Sequence, residues 1–277
     1  MTFTPAKRKK PKNPVLTIGV INQKGGVGKT TTAVNLSAVL GDKGYSVLLV
    51  DLDPQGNSTS GLGFDKSTCE LSSYDCLLND DLNPIDAVVD LDTKNVKLIP
   101  ATIDLAGAEA ELVQAIAREM RLKDALNAIQ KDSDSFDFII IDCPPSLGML
   151  TINALTAAQE LIIPIQSEFY ALEGLSKIID SVNMVKKRLN PDLEILGVLL
   201  TMYDKRTALA QQVASQVTEF FGDKLFKTKI PRTVRISEAP SFGQSILEYD
   251  PSGKGAKAYR KLGNEVIERY QEIFSKE

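Results

Sequence analysis

Ten consecutive residues, Asn22-Gln23-Lys24-Gly25-Gly26-Val27-Gly28-Lys29-Thr30-Thr31, gather three glycines, two lysines and two threonines. Glycine reaches positive φ without a Cβ clash and lets anion oxygens approach the backbone N–H groups. An apolar run precedes the segment and a helical pattern follows it, so a helix opening near Lys29 aims its positive dipole end at the same point. Lys29 can bridge the β- and γ-phosphates of a nucleotide, and the Thr30 hydroxyl can ligate Mg²⁺. Lys24, Gly25, Gly26, Val27, Gly28, Lys29, Thr30 and Thr31 therefore read as a phosphate-binding loop. The spacing departs from G-x-x-x-x-G-K-S/T at one end: Gln23 stands at the first glycine position, and the extra Lys24 follows it.

Carboxylates stand at the ends of two further apolar runs. One leads into Asp51-Leu52-Asp53-Pro54-Gln55-Gly56, the other into Asp142-Cys143-Pro144-Pro145-Ser146. In open α/β sheets ligands bind beyond the carboxyl ends of the strands, so these acids are expected to converge on the phosphate loop. Asp142 takes the place of the acid that holds a metal's hydration shell. Asp53 is placed to orient an attacking water and stands with Thr30 and Asp142 on the metal side. A carboxylate of ordinary pKa, ~3.9, is a weak base at pH 7. Unaided hydrolysis is then expected to be slow. Lys29 and Asp53 are the candidate catalytic groups, with ATP and Mg²⁺ as the implied substrate and cofactor. Cys143 reads as a small buried residue.

The elements that must position these groups alternate. Residues 15–21, 46–50, 96–99, 138–141, 161–165 and 195–200 are short, apolar and largely β-branched. Several are apolar at consecutive positions, as parallel strands covered on both faces should be. Helical patterns fall at 30–40 (ended by Gly41), 108–129, 172–189 and 208–221 (ended by Gly222). The pattern implies a doubly wound, mostly parallel α/β sheet with helices on both faces. With no linker-like stretch, residues 14–277 are expected to form a single domain behind a basic, flexible tail at 1–13.

Composition narrows the class. The 277 residues are 43% apolar and 25% charged, and contain no histidine, which excludes His-based triads and His-ligated metals. Three cysteines without metal spacing suggest a reduced, cytoplasmic chain. No run is long enough to span a membrane. The net charge of −4 is unevenly spread. Residues 1–13 carry five basic residues and no acid, so the arm reads either as a solubilising tail or as a nucleic-acid contact. Residues 65–94 carry eight acids against two lysines and read as an acidic, partly helical surface excursion. Lys224, Lys227, Lys229, Arg232 and Arg235 cluster without an acid among them, as polyanion binding requires. A last helix, about 256–274, carries the apolar stripe Tyr259, Leu262, Val266, Tyr270 and Ile273; its mixed-charge polar face matches a membrane-surface helix poorly.

Taken together, KGGVGKTT (24–31), DLDPQGN (51–57), IIIDCPPS (139–146), EFYALEG (168–174) and IPRTVRISEAPS (230–241) resemble the ParA/Soj chromosome-partitioning ATPases, from about Val15 to the C-terminus. The wider group with this deviant phosphate loop includes MinD and the nitrogenase iron protein. The resemblance implies an ATP-bridged homodimer in which Lys24 reaches the partner's phosphates and so joins the catalytic set. It implies sequence-nonspecific binding of double-stranded DNA by that dimer, and hydrolysis stimulated by a ParB-like centromere-binding protein, in a cytoplasmic, nucleoid-associated setting. Arg206 and Arg235 fall at the DNA-contacting arginines, supported by Lys224, Lys227 and Lys229. Met202, Pro231, Arg232 and Thr233 fall beside the adenine. A phosphate loop starting at residue 24 leaves no room for the N-terminal helix-turn-helix domain of larger plasmid versions.

Three other classes compete. A MinD-like, membrane-associated regulator of division-site placement needs a basic amphipathic C-terminal helix, and residues 257–277 have mixed charge. A cluster-assembly ATPase needs a cysteine pair, and Cys69, Cys76 and Cys143 have no such spacing. A metabolic ligase or kinase is disfavoured by Lys24 and the SEAPS block.

Overall fold

Consecutive apolar residues along a strand point to opposite faces, and the fold covers both. Its elements are β1 (Leu16–Val20), α1 (Lys29–Asp42), β2 (Val47–Asp51), α2 (Asn57–Gly61), α3 (Ser73–Leu78), β3 (Val89–Asp90), β4 (Val96–Ile99), α4 (Leu105–Glu111), α5 (Arg121–Ser133) and β5 (Phe138–Asp142). There follow α6 (Met149–Ala157), β6 (Glu160–Gln166), α7 (Ala171–Arg188), β7 (Glu194–Thr201), α8 (Ala208–Phe221), α9 (Val234–Glu238), α10 (Ile246–Tyr249) and α11 (Lys254–Phe274). The computed structural model describes residues 14–133, 136–168 and 171–275, without the side chains of 132–133 and 171–174. The basic arm at 1–13 lies outside the described residues, as do Phe169 and Tyr170 of the 168–174 block.

The sheet order is β3-β4-β2-β5-β1-β6-β7, parallel throughout except for the short edge strand β3. In β2, Leu48 and Val50 face one side, with Ile139 and Ile141 of β5, against α5, α6, α7 and α8. Val47 and Leu49 face the other side, with Phe138 and Ile140, against α1 and α11. All of these strand residues are fully buried. At ~1.5–3 kcal/mol for each large apolar side chain buried, this two-sided packing holds the sheet rigid beneath the site. Register aligns Val20 and Asp51 with Asp142 from either side. The tips of the three central strands therefore end at one level, where β1 hands the chain to the phosphate loop.

Two helix boundaries differ from the sequence reading. Gly41 does not end α1. It lies within the helix, where a Cβ would stand 2.2 Å from the Lys94 carbonyl oxygen, so the glycine serves close packing. The apolar period over 108–129 is interrupted rather than continuous. Ala117 takes a left-handed conformation (φ 51°), and the chain restarts as α5. Buried Asn153 makes the break tolerable: its Oδ1 accepts the Leu122 N–H at 3.1 Å, and its Nδ2 donates to the Arg118 carbonyl at 2.8 Å. A partner supplied from α6 leaves no mark on local periodicity. The acidic excursion at 65–94 is a surface segment only in part, since Leu77 and Ala87 are buried in the core.

Candidate nucleotide site and basic groove

The phosphate loop is shaped by backbone and held from outside. Gly26 (φ 75°) and Gly28 (φ 90°) are left-handed, and Gly28 is the N-cap of α1. Residues with a Cβ would pay for that conformation in strain. Thr201, at the end of β7, donates its hydroxyl to the Val27 carbonyl at 2.8 Å. Asn22 donates to the Pro164 carbonyl at 2.7 Å and accepts the Lys24 N–H at 2.9 Å. These tertiary bonds fix both ends of the loop.

Lys29 is 6% exposed, and burial lowers its ammonium pKa against the opposing pull of Asp142, Cys143 and Asp53. Its bond to the Lys24 carbonyl is long, 3.4 Å, for a group with three donors. Buried cations are costly unless paired. The arrangement suits an anion.

Asp51 and Asp142 are fully buried side by side, and burial pushes both carboxyls above the ordinary carboxylate range. Asp142 Oδ2 accepts the Ser58 hydroxyl at 2.6 Å, and Thr30 also bonds this carboxylate. Asp142 Oδ1 is buried without a hydrogen-bond partner, on a carboxylate that attracts Lys29 and takes the Thr30 hydroxyl. An orphan carboxylate oxygen beside a hydroxyl fits a hydrated divalent cation. Mg²⁺ usually takes one or two protein ligands, with waters and phosphates completing its shell. Asp53, 8% exposed, accepts the Gln55 N–H at 3.0 Å. Cys143 is buried, and burial raises its thiol pKa, as an inert core cysteine requires.

Lys24 has a different partner from Lys29. Its ammonium lies 2.6 Å from Glu168 Oε2, both side chains about half exposed. Met202 takes a left-handed conformation (φ 49°) after β7, and Tyr203 then pairs with the 230–231 segment through a single bridge, donating its N–H to the Ile230 carbonyl at 2.9 Å. Met202 and Pro231, distant in sequence, are thereby brought together.

Beside them opens a groove of about 1020 Å³. Its walls include Pro231, Arg232 and Thr233, and carry eight cations: Lys205, Arg206, Lys227, Lys229, Arg232, Lys254, Lys257 and Lys261. The two acids lining it are already engaged. Asp204 holds Arg206 through both carboxylate oxygens, which lowers the carboxyl to about 2. Glu265 accepts the backbone N–H groups of Lys227 and Thr228, each at 2.8 Å. Among the residues expected at the DNA surface, Arg206, Lys227 and Lys229 line this groove. Lys224 lines a neighbouring cavity instead. Arg235 lies on α9, bonded to Glu238 at 3.2 Å and to the Tyr249 hydroxyl at 3.3 Å. Lys205, Lys254, Lys257 and Lys261 were not singled out from sequence. The spacing of the last three at i, i+3 and i+7 places them on one helical face, a signal hidden by the nearby glutamates.

A parallel sheet whose first strand enters a glycine-rich loop, with acids at neighbouring strand tips, defines a P-loop nucleoside triphosphatase. A protein-family signature described as an AAA domain matches residues 15–195. The sporulation initiation inhibitor protein Soj of Bacillus subtilis is 57% identical over 90% of this chain and 97% of its own length. The chromosome partitioning protein ParA of Caulobacter vibrioides is 49% identical, covering 93% and 96%. The chain belongs to the ParA/Soj family of chromosome-partitioning ATPases. Similar solved structures include the ADP- and magnesium-bound cobyrinic acid a,c-diamide synthase of Mycobacterium smegmatis (41% identity, TM-score 0.80, covering 93% of this chain and 96% of that one). The cell division ATPase MinD of Pyrococcus furiosus is also similar (30% identity, TM-score 0.74, covering 91% and 98%).

Proposed function

We propose that residues 14–277 act as one DNA-segregation ATPase domain. ATP binding joins two copies, the dimer binds double-stranded DNA without sequence preference, and a ParB-like partner stimulates the hydrolysis that releases it. The Gly25–Thr31 backbone N–H groups cradle the phosphates, and buried Lys29 neutralises them. Thr30 and Asp142 hold Mg²⁺, with Asp53 close by; the ion, when bound, offsets charge on the phosphate oxygens. Asp53 orients the attacking water. Lys24 exchanges Glu168 for the partner's phosphates. An exposed ion pair is worth only ~0–1 kcal/mol, so a triphosphate displaces it readily.

The observation that carries the DNA reading is a shared wall. Pro231, Arg232 and Thr233, expected beside the adenine with Met202, also line the eight-cation groove. A nucleotide seated against one side of that segment bears directly on the polyanion surface at the other. Clustered cations give binding to phosphate backbone irrespective of base sequence.

Among the described residues no helix is long and apolar enough to cross a membrane. A MinD-like membrane role finds less support, because the apolar stripe of α11 (Tyr259, Leu262, Val266, Tyr270) is buried within the fold. That stripe is therefore not available to a lipid surface. A cytoplasmic, nucleoid-associated location follows from the DNA reading. DNA retention with ADP, with ATP and with a non-hydrolysable analogue tests it: retention under the triphosphates alone is expected. ATP-dependent capture on anionic vesicles instead would overturn the reading.

A further inference from the structure

α2 begins at Gly56, an N-cap with no side chain, yet its first turn is not left uncapped. Two carboxylates on the tips of β2 and β5 take over. Asp51 Oδ2 accepts the Thr59 backbone N–H at 2.8 Å and the Thr59 hydroxyl at 2.7 Å. The preceding residue, Ser58, gives its hydroxyl to Asp142. Asp51 Oδ1 accepts the Asp53 N–H at 3.2 Å. The Thr59 hydroxyl, while donating to Asp51, accepts the Ala101 N–H at 3.0 Å. Asp51 and Thr59 are both fully buried.

One carboxylate therefore closes the loop 51–59 at its base, grips the backbone of Asp53 inside that loop, and ties both to the chain leaving β4. A helix cap alone would need only the Thr59 N–H. The bonds to the Asp53 amide and the Thr59 hydroxyl fix where Asp53 stands relative to Asp142. Displacements of ~1 Å at a reacting group cost up to ~100-fold in rate, whereas binding of distant parts of a substrate is little affected.

We propose that Asp51 and Thr59 form a positioning clamp for hydrolysis, holding the Asp53 loop against the strand-tip carboxylates without touching the nucleotide. The inference rests on the ATPase reading above. Its test uses the full chain with Mg–ATP and compares Thr59→Val, which removes the bridging hydroxyl, with Thr59→Ser, which keeps it. Thr59→Val should lower kcat ~10-fold while affinity for a fluorescent ATP analogue stays within ~2-fold, as loss of an interaction made only in the transition state requires. Thr59→Ser should restore most of the rate. Wild-type turnover in Thr59→Val, or parallel loss of affinity and turnover, would overturn the clamp, as would failure of Thr59→Ser to restore the rate. If Thr59→Val does not melt cooperatively, Asp51→Asn carries the same comparison, and unchanged turnover there sinks the clamp equally. A wild-type chain without any ATP turnover would overturn the ATPase reading and the clamp together; every other adverse result overturns the clamp alone.

Discussion

The strand-tip site and the basic groove, the two places proposed to meet phosphate, are built in opposite ways. In the first, Lys29, Asp51, Asp53 and Asp142 are each at most 8% exposed and held by hydrogen bonds within their own loops, with Asp142 also bonded to the distant Ser58. In the second, cations stand on long side chains around an open volume, and the carboxylates that accompany them are paired off. Burial gives the first site strong, directional electrostatics at the cost of desolvation, which tight geometry must offset. Solvent screens the second, so it depends on number rather than placement of charges. On the proposed reading, one site distinguishes a transition state from a ground state and the other holds any phosphate backbone loosely.

Perturbing the two sites should therefore give different signatures. Lys29→Ala removes a buried cation whose charge-assisted bonds are each worth ~1.5–3 kcal/mol, so ATP affinity should fall by ~100-fold or more. A titration showing retained affinity would take Lys29 out of the site. Asp53→Ala should leave binding intact and slow hydrolysis ~100-fold, trapping the triphosphate dimer; chromatography that shows the usual decay to monomer would contradict this. Lys24→Ala should bind ATP and stay monomeric in a non-hydrolysable analogue, whereas a dimer peak would refute the exchange of Glu168 for a partner's phosphates.

The groove should respond by increments. Replacing Lys257 and Lys261 by alanine should weaken DNA retention equally on unrelated sequences and reduce the salt slope by ~2, about 0.9 per lost phosphate contact. An unchanged slope would move the DNA surface elsewhere, towards Lys224 or Arg235. The smallest effect is expected at a single carboxyl outside both sites. Glu160, at the amino end of β6, has its carboxyl pushed up from 4.5 to about 7 by burial and by Glu194, against the pull of Lys224, Arg269 and Lys186. The folded state then holds this proton more tightly than the unfolded chain. The resulting contribution to stability is fully present below about 4.5 and lost as pH rises through about 7. Glu160→Gln should flatten that stretch of the stability profile and be the more stable protein at pH 8. Parallel melting curves from pH 5 to 8 would show that Glu160 is not buried in this way.

Much of this was legible early because its causes are local. The stretch 138–141 falls within a residue of β5, since a parallel strand covered on both faces must be apolar along its whole length. The glycines and lysines of the loop stand in one short run. Gly222 was correctly placed after α8, because its positive φ leaves a sequence signal. Gly41 carried the same signal with a different cause, a carbonyl from the 94–95 turn packed against the helix. The groove is only partly legible: the 227–232 cations form an acid-free run, whereas the lysines in the first turns of α11 sit among glutamates and reach the groove only through the fold.

The amino-acid order by itself determined the alternating α/β class, the phosphate loop and which acids end strands, because periodicity and glycine placement act over a few residues. Tertiary structure alone decided that Ser58 bonds Asp142, that Lys24 rests on Glu168 and that α11 lends its lysines to a groove. Those contacts join segments whose separation along the chain is unrelated to their distance in space, and packing of the sheet sets that distance.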